Sequence, residues 1–336
     1  MANYKELEGF GVQTLATDPD SAGWVGSIFY NSTSGTFKIV KPGGASVGTW
    51  ASGGNLNTSR YQISGDGSAT AAILAGGDVY PSSPRASAIT EIYNGTSWTE
   101  VNDLNNAAQT SRNFGTVTAS IAVNNYPTVN TEIWNGTSWS NSPTTLNTAR
   151  FEGSATGIST AGLYSGGDTP GGAVANNETW NGTSWTEVGD LNSGRKTEGS
   201  GSLTSAIVAG GGAASGAPPA KSALTEIWDG TSWTEVADLN TARAENGVAA
   251  ENNSSAITWC GDTSAPARVA NVEYYDGTSW TEVADYPLTL RYTGNAGSSS
   301  AALGFGGIND GASPATTTST NEWVIPDVVI NTLTTS

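Results

Sequence analysis

The 336-residue chain contains no histidine. That absence removes histidine acid–base catalysis, serine–histidine–aspartate triads and histidine-ligated metals from consideration. A single cysteine, Cys260, excludes an internal disulfide and a thiolate zinc cluster within one chain. Charged residues make up 13%, and 13 basic side chains face 30 acidic ones, a formal net charge of −17. Nucleic-acid affinity rests on lysine and arginine neutralising phosphates, so neither a nucleic acid nor an anionic membrane surface is expected as a partner. No apolar run approaches the roughly 18 residues of a membrane span. The start, MANYKELEGFGVQTL, has neither the basic region nor the apolar core of a secretory signal, which predicts synthesis in a cytoplasm. No glycine-rich phosphate loop opens a helix and no aspartate run has EF-hand spacing, so no cofactor is expected. Carboxylate pairs could still hydrolyse glycosides, but nothing singles out two of them.

Glycine (43) and tryptophan (12) are plentiful. The pattern centres on Thr225–Arg243, TEIWDGTSWTEVADLNTAR. Two runs of β-branched and aromatic residues flank Asp229-Gly230, a strong signal for a hairpin with a two-residue type I′ turn. That turn would set Trp228 opposite Thr231, Ile227 opposite Ser232 and Glu226 opposite Trp233. Alternation then puts Glu226, Trp228, Trp233 and Glu235 on one face and Ile227, Thr234 and Val236 on the other. Both faces carry apolar groups, as stacked sheets require.

Copies of this hairpin occur at 91–98, 132–139, 178–185 and 273–280, and Trp50, Trp98, Trp139, Trp185, Trp233 and Trp280 fall 41 to 48 residues apart. Such a period marks solenoids and propellers. Linkers ending in Arg60, Arg112, Arg150, Arg195, Arg243 and Arg291 follow, and small-residue strands end in Gly76-Gly77, Gly166-Gly167, Gly210-Gly211 and Gly306-Gly307. The second and fifth copies have Asn124-Asn125 and Cys260-Gly261 instead. Over residues 48–325 this order of motifs resembles the Kelch family: an apolar strand ending in a glycine pair, a Glu-x-aromatic strand, a turn, a tryptophan strand and an arginine-ended linker. The resemblance implies an all-β, Kelch-like β-propeller, and counting the repeats predicts six blades. The last repeat stops after Asn321-Glu322-Trp323, while Gly48-Thr49-Trp50 supplies a tryptophan strand without the strands before it, so the ring would be closed by the N-terminal strand. The repeated aromatics are expected to pack between blades, and the repeated Glu and Arg to bridge strand and linker. The copper oxidases of this superfamily use histidine ligands, and that chemistry cannot be carried over.

Residues 1–45 stand outside the repeat as an N-terminal hairpin segment, 46–325 form the propeller and 326–336 a tail that could pair with the hairpin. The segment GWVGSIFYNSTSGTFKIV resembles a short hairpin of phage tail and other virion proteins. It implies attachment through Trp24, Phe29, Tyr30 and Phe37 to other virion proteins, in a multi-copy assembly on a virion. The uniform Asn-Gly and Asp-Gly turns suit an inert face. Divergent loops gather at the other end of the blades, where binding usually resides. Tyr80, Arg85, Tyr126, Asp168, Lys221, Asp262, Arg268 and Asp310 are the candidate contacts there, with a host-surface glycan or protein as partner. The chain thus reads as a non-enzymatic structural or binding protein of a phage particle. The alternatives are a free-standing bacterial Kelch-like binding module and, from the sialidase-like Asp-Gly-x-x-Trp turn, a glycoside hydrolase.

Overall fold

The computed structural model describes residues 12–44, 46, 48–126, 129–212, 221–263, 268–309, 311, 315–326 and 328–333, without the side chains of Ala22, Asn125, Tyr126 and Val328. The chain divides into two compact units, Met1–Thr49 with Ile325–Ser336, and Trp50–Val324. Both are β-structured, and the four-stranded antiparallel sheets of the larger unit are compatible with a β-propeller.

In the smaller unit, β1 (Gln13–Leu15), β2 (Ile28–Asn31), β3 (Thr36–Pro42) and β30 (Val328–Thr332) form one sheet in the order β1-β2-β3-β30. The tail strand β30 pairs antiparallel with β3, Val40 opposite Ile330. Ile28 lies opposite Ile39 and Tyr30 opposite Phe37, so these four side chains share a face.

Among the described residues the larger unit holds six four-stranded sheets. Sheet I is β5 (Gly65–Ser68), β6 (Ala71–Ala75), β7 (Thr90–Tyr93) and β8 (Trp98–Glu100). Sheet II is β9 (Thr110–Thr116), β10 (Ala119–Tyr126), β11 (Asn130–Trp134) and β12 (Trp139–Asn141). Sheet III is β13 (Ser154–Ile158), β14 (Ala161–Ser165), β17 (Asn177–Trp180) and β18 (Trp185–Val188), with a small ribbon, β15 (Asp168–Thr169) and β16 (Gly172–Ala173), between its middle strands. Sheet IV is β19 (Gly199–Ser202), β20 (Ser205–Ala209), β21 (Thr225–Trp228) and β22 (Trp233–Glu235). Sheet V is β23 (Gly247–Asn252), β24 (Ser255–Trp259), β25 (Val272–Tyr275) and β26 (Trp280–Val283). Sheet VI joins β27 (Gly294–Gly297), β28 (Ala302–Phe305) and β29 (Thr320–Val324) to β4 (Thr49–Ser52), a strand from the other end of the chain.

The repeated hairpin differs from the two-residue turn its Asp-Gly pair suggests. Trp228 faces Trp233, Ile227 faces Thr234 and Glu226 faces Glu235, leaving Asp229-Gly230-Thr231-Ser232 as a four-residue loop. Asp229 Oδ1 accepts from the backbone N–H of Thr231 and Ser232, both at 2.8 Å, and this side-chain turn outcompetes the tighter one. Lengthening the loop by two residues preserves side-chain parity, so the predicted faces survive. Each tryptophan now packs on the aromatic across its own hairpin, at Tyr93–Trp98, Trp134–Trp139, Trp180–Trp185, Trp228–Trp233 and Tyr275–Trp280, and Trp50 packs likewise on Trp323 of the paired strand β29, with centroids 5.1 to 5.4 Å apart.

The core lies between neighbouring sheets. Ile73 and Ala75 of sheet I pack with Leu104, Ala122, Trp134 and Trp139 around sheet II, and equivalent clusters follow along the chain. Sheets VI and I share Leu303, Phe305, Leu74, Tyr93 and Trp98. Indole N–H groups reach across these seams: Trp139 to Thr90 Oγ1 at 2.9 Å, Trp98 to Thr320 at 2.9 Å and Trp280 to Thr225 at 3.1 Å. Between sheets V and VI the threonine position holds Val272, and an aromatic cluster takes over. Trp50 lies 5.3 Å from Trp259, 4.8 Å from Tyr286 and 5.4 Å from Trp323.

A latch of buried polar groups fastens four of the linkers. In Thr225–Arg243 and its copies, the linker asparagine gives its backbone N–H and Nδ2 to one oxygen of the third-strand glutamate, while the linker arginine binds the other. Asn240 and Arg243 hold Glu273 in this way, with Arg243 Nη2 at 2.6 Å. Arg60–Glu91, Arg150–Glu178 and Arg195–Glu226 repeat the pair. The glutamate belongs to the sheet the linker enters. The expectation that all six linkers end in an equivalent arginine is corrected here. Ala108 bonds Ser87 as Arg243 bonds Ser222, and Leu290 accepts from Gly261 as Arg243 accepts from Gly211, so Arg112 and Arg291 lie outside the arginine position. Glu132 is satisfied instead by Asn105, Asn106, Asn124 and Asn130. In sheet VI, Asn321 replaces the glutamate beside Leu290 and donates to Tyr286 Oη at 3.0 Å. Charge and countercharge have disappeared together.

Candidate functional site

At one end of every sheet the linker runs into the first strand and the second strand turns into the third. In five sheets single bridges tie these segments together: Tyr61–Asp78–Ala86, Phe151–Asp168, Lys196–Gly212–Lys221, Ala244–Asp262–Arg268 and Arg291–Ile308–Thr316. This is where the glycine pairs act. Gly76 and Gly77 have φ of 76° and 104°, and a Cβ on Gly77 would stand 2.3 Å from Ile63 Cγ2. In sheet V, Cys260 takes the first position at φ 60°, fully buried, its thiol pushed up to about 12 by burial.

Side chains from different sheets converge at this end. Gln62 Nε2 donates to Glu152 Oε1 at 3.4 Å, Tyr292 Oη donates to the same oxygen at 3.0 Å, and Arg112 Nη2 lies 3.0 Å from Glu198. Lys196 sits 2.5 Å from Glu152 and 3.4 Å from Asp168; Lys221 sits 2.9 Å from Asp262 and 4.0 Å from Glu245; Arg291 lies 3.0 Å from Glu245. Burial pushes the Glu198 carboxyl up to about 7 against the pull of Arg112. Burial, with Glu152 and Glu245 alongside, pushes the Tyr292 phenol well above its ordinary value. For Lys196 burial works downward, but Glu152 and Asp168 prevail and hold the ammonium above its usual range.

Among the predicted contacts, Arg85 and Tyr80 form one group. Arg85 Nε donates to Asp78 Oδ1 at 3.0 Å, Nη2 lies 2.7 Å from Asp78 Oδ2 and also donates to Tyr61 Oη. Its guanidinium stands 5.5 Å from the Tyr80 ring centroid and 5.9 Å from that of Tyr61. Asp78 is buried, whereas the Arg85 side chain is 44% exposed and Tyr80 45%. Asp168, Lys221 and Asp262 join the ion pairs above, and Arg268 bridges Asp262 through the backbone. Asp310 and the Tyr126 side chain lie outside the described residues. Sequence reasoning missed Glu152, Glu198, Glu245, Lys196 and Tyr292, which follow the linker by one to three residues. Aligning the linkers on their true arginine position would have brought Glu152, Glu245 and Tyr292 into one column with Gln62, and set Lys196 and Glu198 on either side of it.

The first strands also enclose a cavity of about 460 Å³ toward the hairpin-turn end, lined by Gly67, Gly115, Gly157, Gly201 and Gly297 among others. Asp66 and Glu251 are its charged residues. Burial pushes the Asp66 carboxyl up to about 7, against hydrogen bonds from Gly67 N and Ser120 Oγ.

Of the proposed attachment residues, Phe29 is fully buried, Trp24 is half-buried in a single 3-10 turn, and Tyr30 stacks on Phe37 at 5.2 Å. Phe37 is 50% exposed and Ile28 on the same face 44%. Among the described residues no group of three or more metal-ligating side chains occurs, and no helix is long and apolar enough to cross a membrane. No protein-family model matches the sequence, and no curated protein matches it.

Proposed function

We propose that this chain is a non-enzymatic, six-bladed Kelch-like β-propeller carried on a phage particle, attached through its smaller unit and binding through its loop ends. The supporting observation for the ring is the neighbour order of first strands: β5 lies against β9, β9 against β13, β13 against β19, β19 against β23, β23 against β27 and β27 against β5. Sheet VI, completed by β4 from the N-terminal side, is the blade such a closure requires. Six sheets are scaffold, and the chemistry that differs between them sits at one end. There Glu152, Asp168, Glu245 and Asp262 are each engaged by a lysine or arginine, an arrangement suited to holding a surface rather than to moving protons.

Attachment rests on the smaller unit. An antiparallel sheet face in water is normally polar, yet this one presents Ile28, Tyr30, Phe37 and Ile39, and exposed apolar faces mark interaction sites. The test is proteomic and genetic. Purified particles should contain the chain at high copy, and Ile28→Lys with Phe37→Lys should release it while circular dichroism and thermal midpoint stay unchanged. Absence of the chain from particles overturns the reading.

A further inference from the structure

The chain's charges are segregated. Of its 13 lysines and arginines, Lys5, Lys38 and Lys41 precede the larger unit, and Arg60, Arg150, Arg195 and Arg243 are buried in linker latches. All the others, Arg85, Arg112, Lys196, Lys221, Arg268 and Arg291, lie at the loop ends. The linker arginines being buried, the outer strands and linkers carry exposed carboxylates with no exposed cation among them in the described residues, as at Glu187, Asp190, Glu235 and Asp238. A strongly acidic molecule therefore has one end on which an anion can settle.

Arg85 is the cation there that is best arranged to take one. Asp78 is buried and grips the Nε–Nη2 edge, so the fork is held in a fixed orientation. Among the described residues Nη1 has no hydrogen-bond partner, and the side chain is 44% exposed. The guanidinium lies over one face of Tyr80, the one exposed aromatic ring among the described residues of 50–324, and leaves the ring's other face and edge to a ligand. The loop between them is braced: Val79 N donates to Arg85 O at 2.9 Å, and Thr316 Oγ1 donates to Tyr80 O at 3.3 Å. A single ring is a stacking platform for one sugar, whose C–H groups meet the negative π face. It falls far short of the roughly 800 Å² per partner of a stable protein interface.

We propose that Arg85 and Tyr80 form a subsite for a carboxylate-bearing saccharide. The sugar ring stacks on Tyr80 and its carboxylate accepts from the free edge of Arg85. This inference rests on the reading of the loop ends as a binding surface and names the ligand class. Because Asp78 already neutralises the guanidinium, recognition comes from the geometry of the fork rather than from net charge, and lysine cannot substitute.

The test uses the full chain on an array pairing acidic oligosaccharides with their carboxyl-reduced, neutral counterparts. Wild type should prefer the acidic members by about tenfold or more, the scale of one charge-assisted hydrogen bond. Arg85→Lys and Tyr80→Ala should each erase that preference, and the comparison of ligands on wild type needs no variant to fold. Equal binding of both members, or binding of acidic peptides in place of saccharides, overturns the inference while leaving a binding surface in place. No binding to the array together with undiminished adsorption to host cells by Lys221→Gln and Arg268→Gln overturns the binding reading as well.

Discussion

Removing the glutamate of the organising motif tests whether the linker latches hold the larger unit together. In sheet IV, Glu226 Oε2 accepts from Asn192 N and Nδ2, both at 2.8 Å, and Oε1 accepts from Arg195 Nη1. Side-chain exposure is 3% for Arg195 and nil for Glu226. Glu226→Ala would leave a buried guanidinium without its counter-ion and the Asn192 N–H without an acceptor. Breaking a buried pair from one side costs about 3–5 kcal/mol, a large part of the roughly 5–15 kcal/mol that holds a protein folded. Arg195→Leu should cost less, because Asn192 still satisfies half of the carboxylate and Glu132 in sheet II endures with asparagines alone. The double variant Arg195→Leu/Glu226→Ala removes both charges, as sheet VI does naturally with Leu290 and Asn321. Its cost should fall below the sum of the singles by about 2 kcal/mol or more. Urea unfolding followed by tryptophan fluorescence measures all three. A Glu226→Ala cost below about 1 kcal/mol, or strict additivity in the double variant, would refute the account of the latch.

Asp66 supplies a pH-dependent counterpart. Its folded-state value of about 7 lies above the ordinary 3.8, so below 3.8 both states hold the proton and nothing is lost. As pH rises toward 7 the unfolded chain releases a proton that the folded one retains, and stability falls, by about 4 kcal/mol at most. Asp66→Asn should therefore raise the thermal midpoint by several degrees at pH 8 and hardly at pH 3.5; an equal gain at both would exclude ionisation as the cause. At the seam of sheets V and VI, Trp50→Ala should cost about 3–5 kcal/mol and selectively remove amide protection from β29 and β4 in hydrogen exchange. Uniform loss of protection throughout the larger unit would argue against a local seam.

Much of the architecture was legible because the repeat samples each physical rule several times. Alternation put Trp228 and Trp233 on one face for a loop of either two or four residues, and the strand after Gly48 lacked partners that only a C-terminal fragment lacking its last strand could provide. Hairpin register was not legible, since it turned on whether Asp229 would cap its own turn, a contest between hydrogen bonds that differ little in free energy. The candidate site was half-legible. Arg85 and Lys221 stand out as charges in variable loops, and those positions do lie at the loop ends. Glu152, Glu198 and Tyr292 follow linkers that look alike, and Arg112 and Arg291 imitate a repeat position they do not occupy.

By itself the sequence determined the all-β class, the period, the alternating faces and the exclusion of histidine and disulfide chemistry, because these depend on local periodicity and on which side chains exist. Only the tertiary structure decided which arginines are spent inside latches and which reach the loop ends, and which carboxylates are buried enough to hold a proton near neutrality. Those properties depend on what stands within a few ångströms across neighbouring sheets, between residues as far apart as Glu152 and Tyr292, where pairing and desolvation rather than residue type set the charge that is left to act.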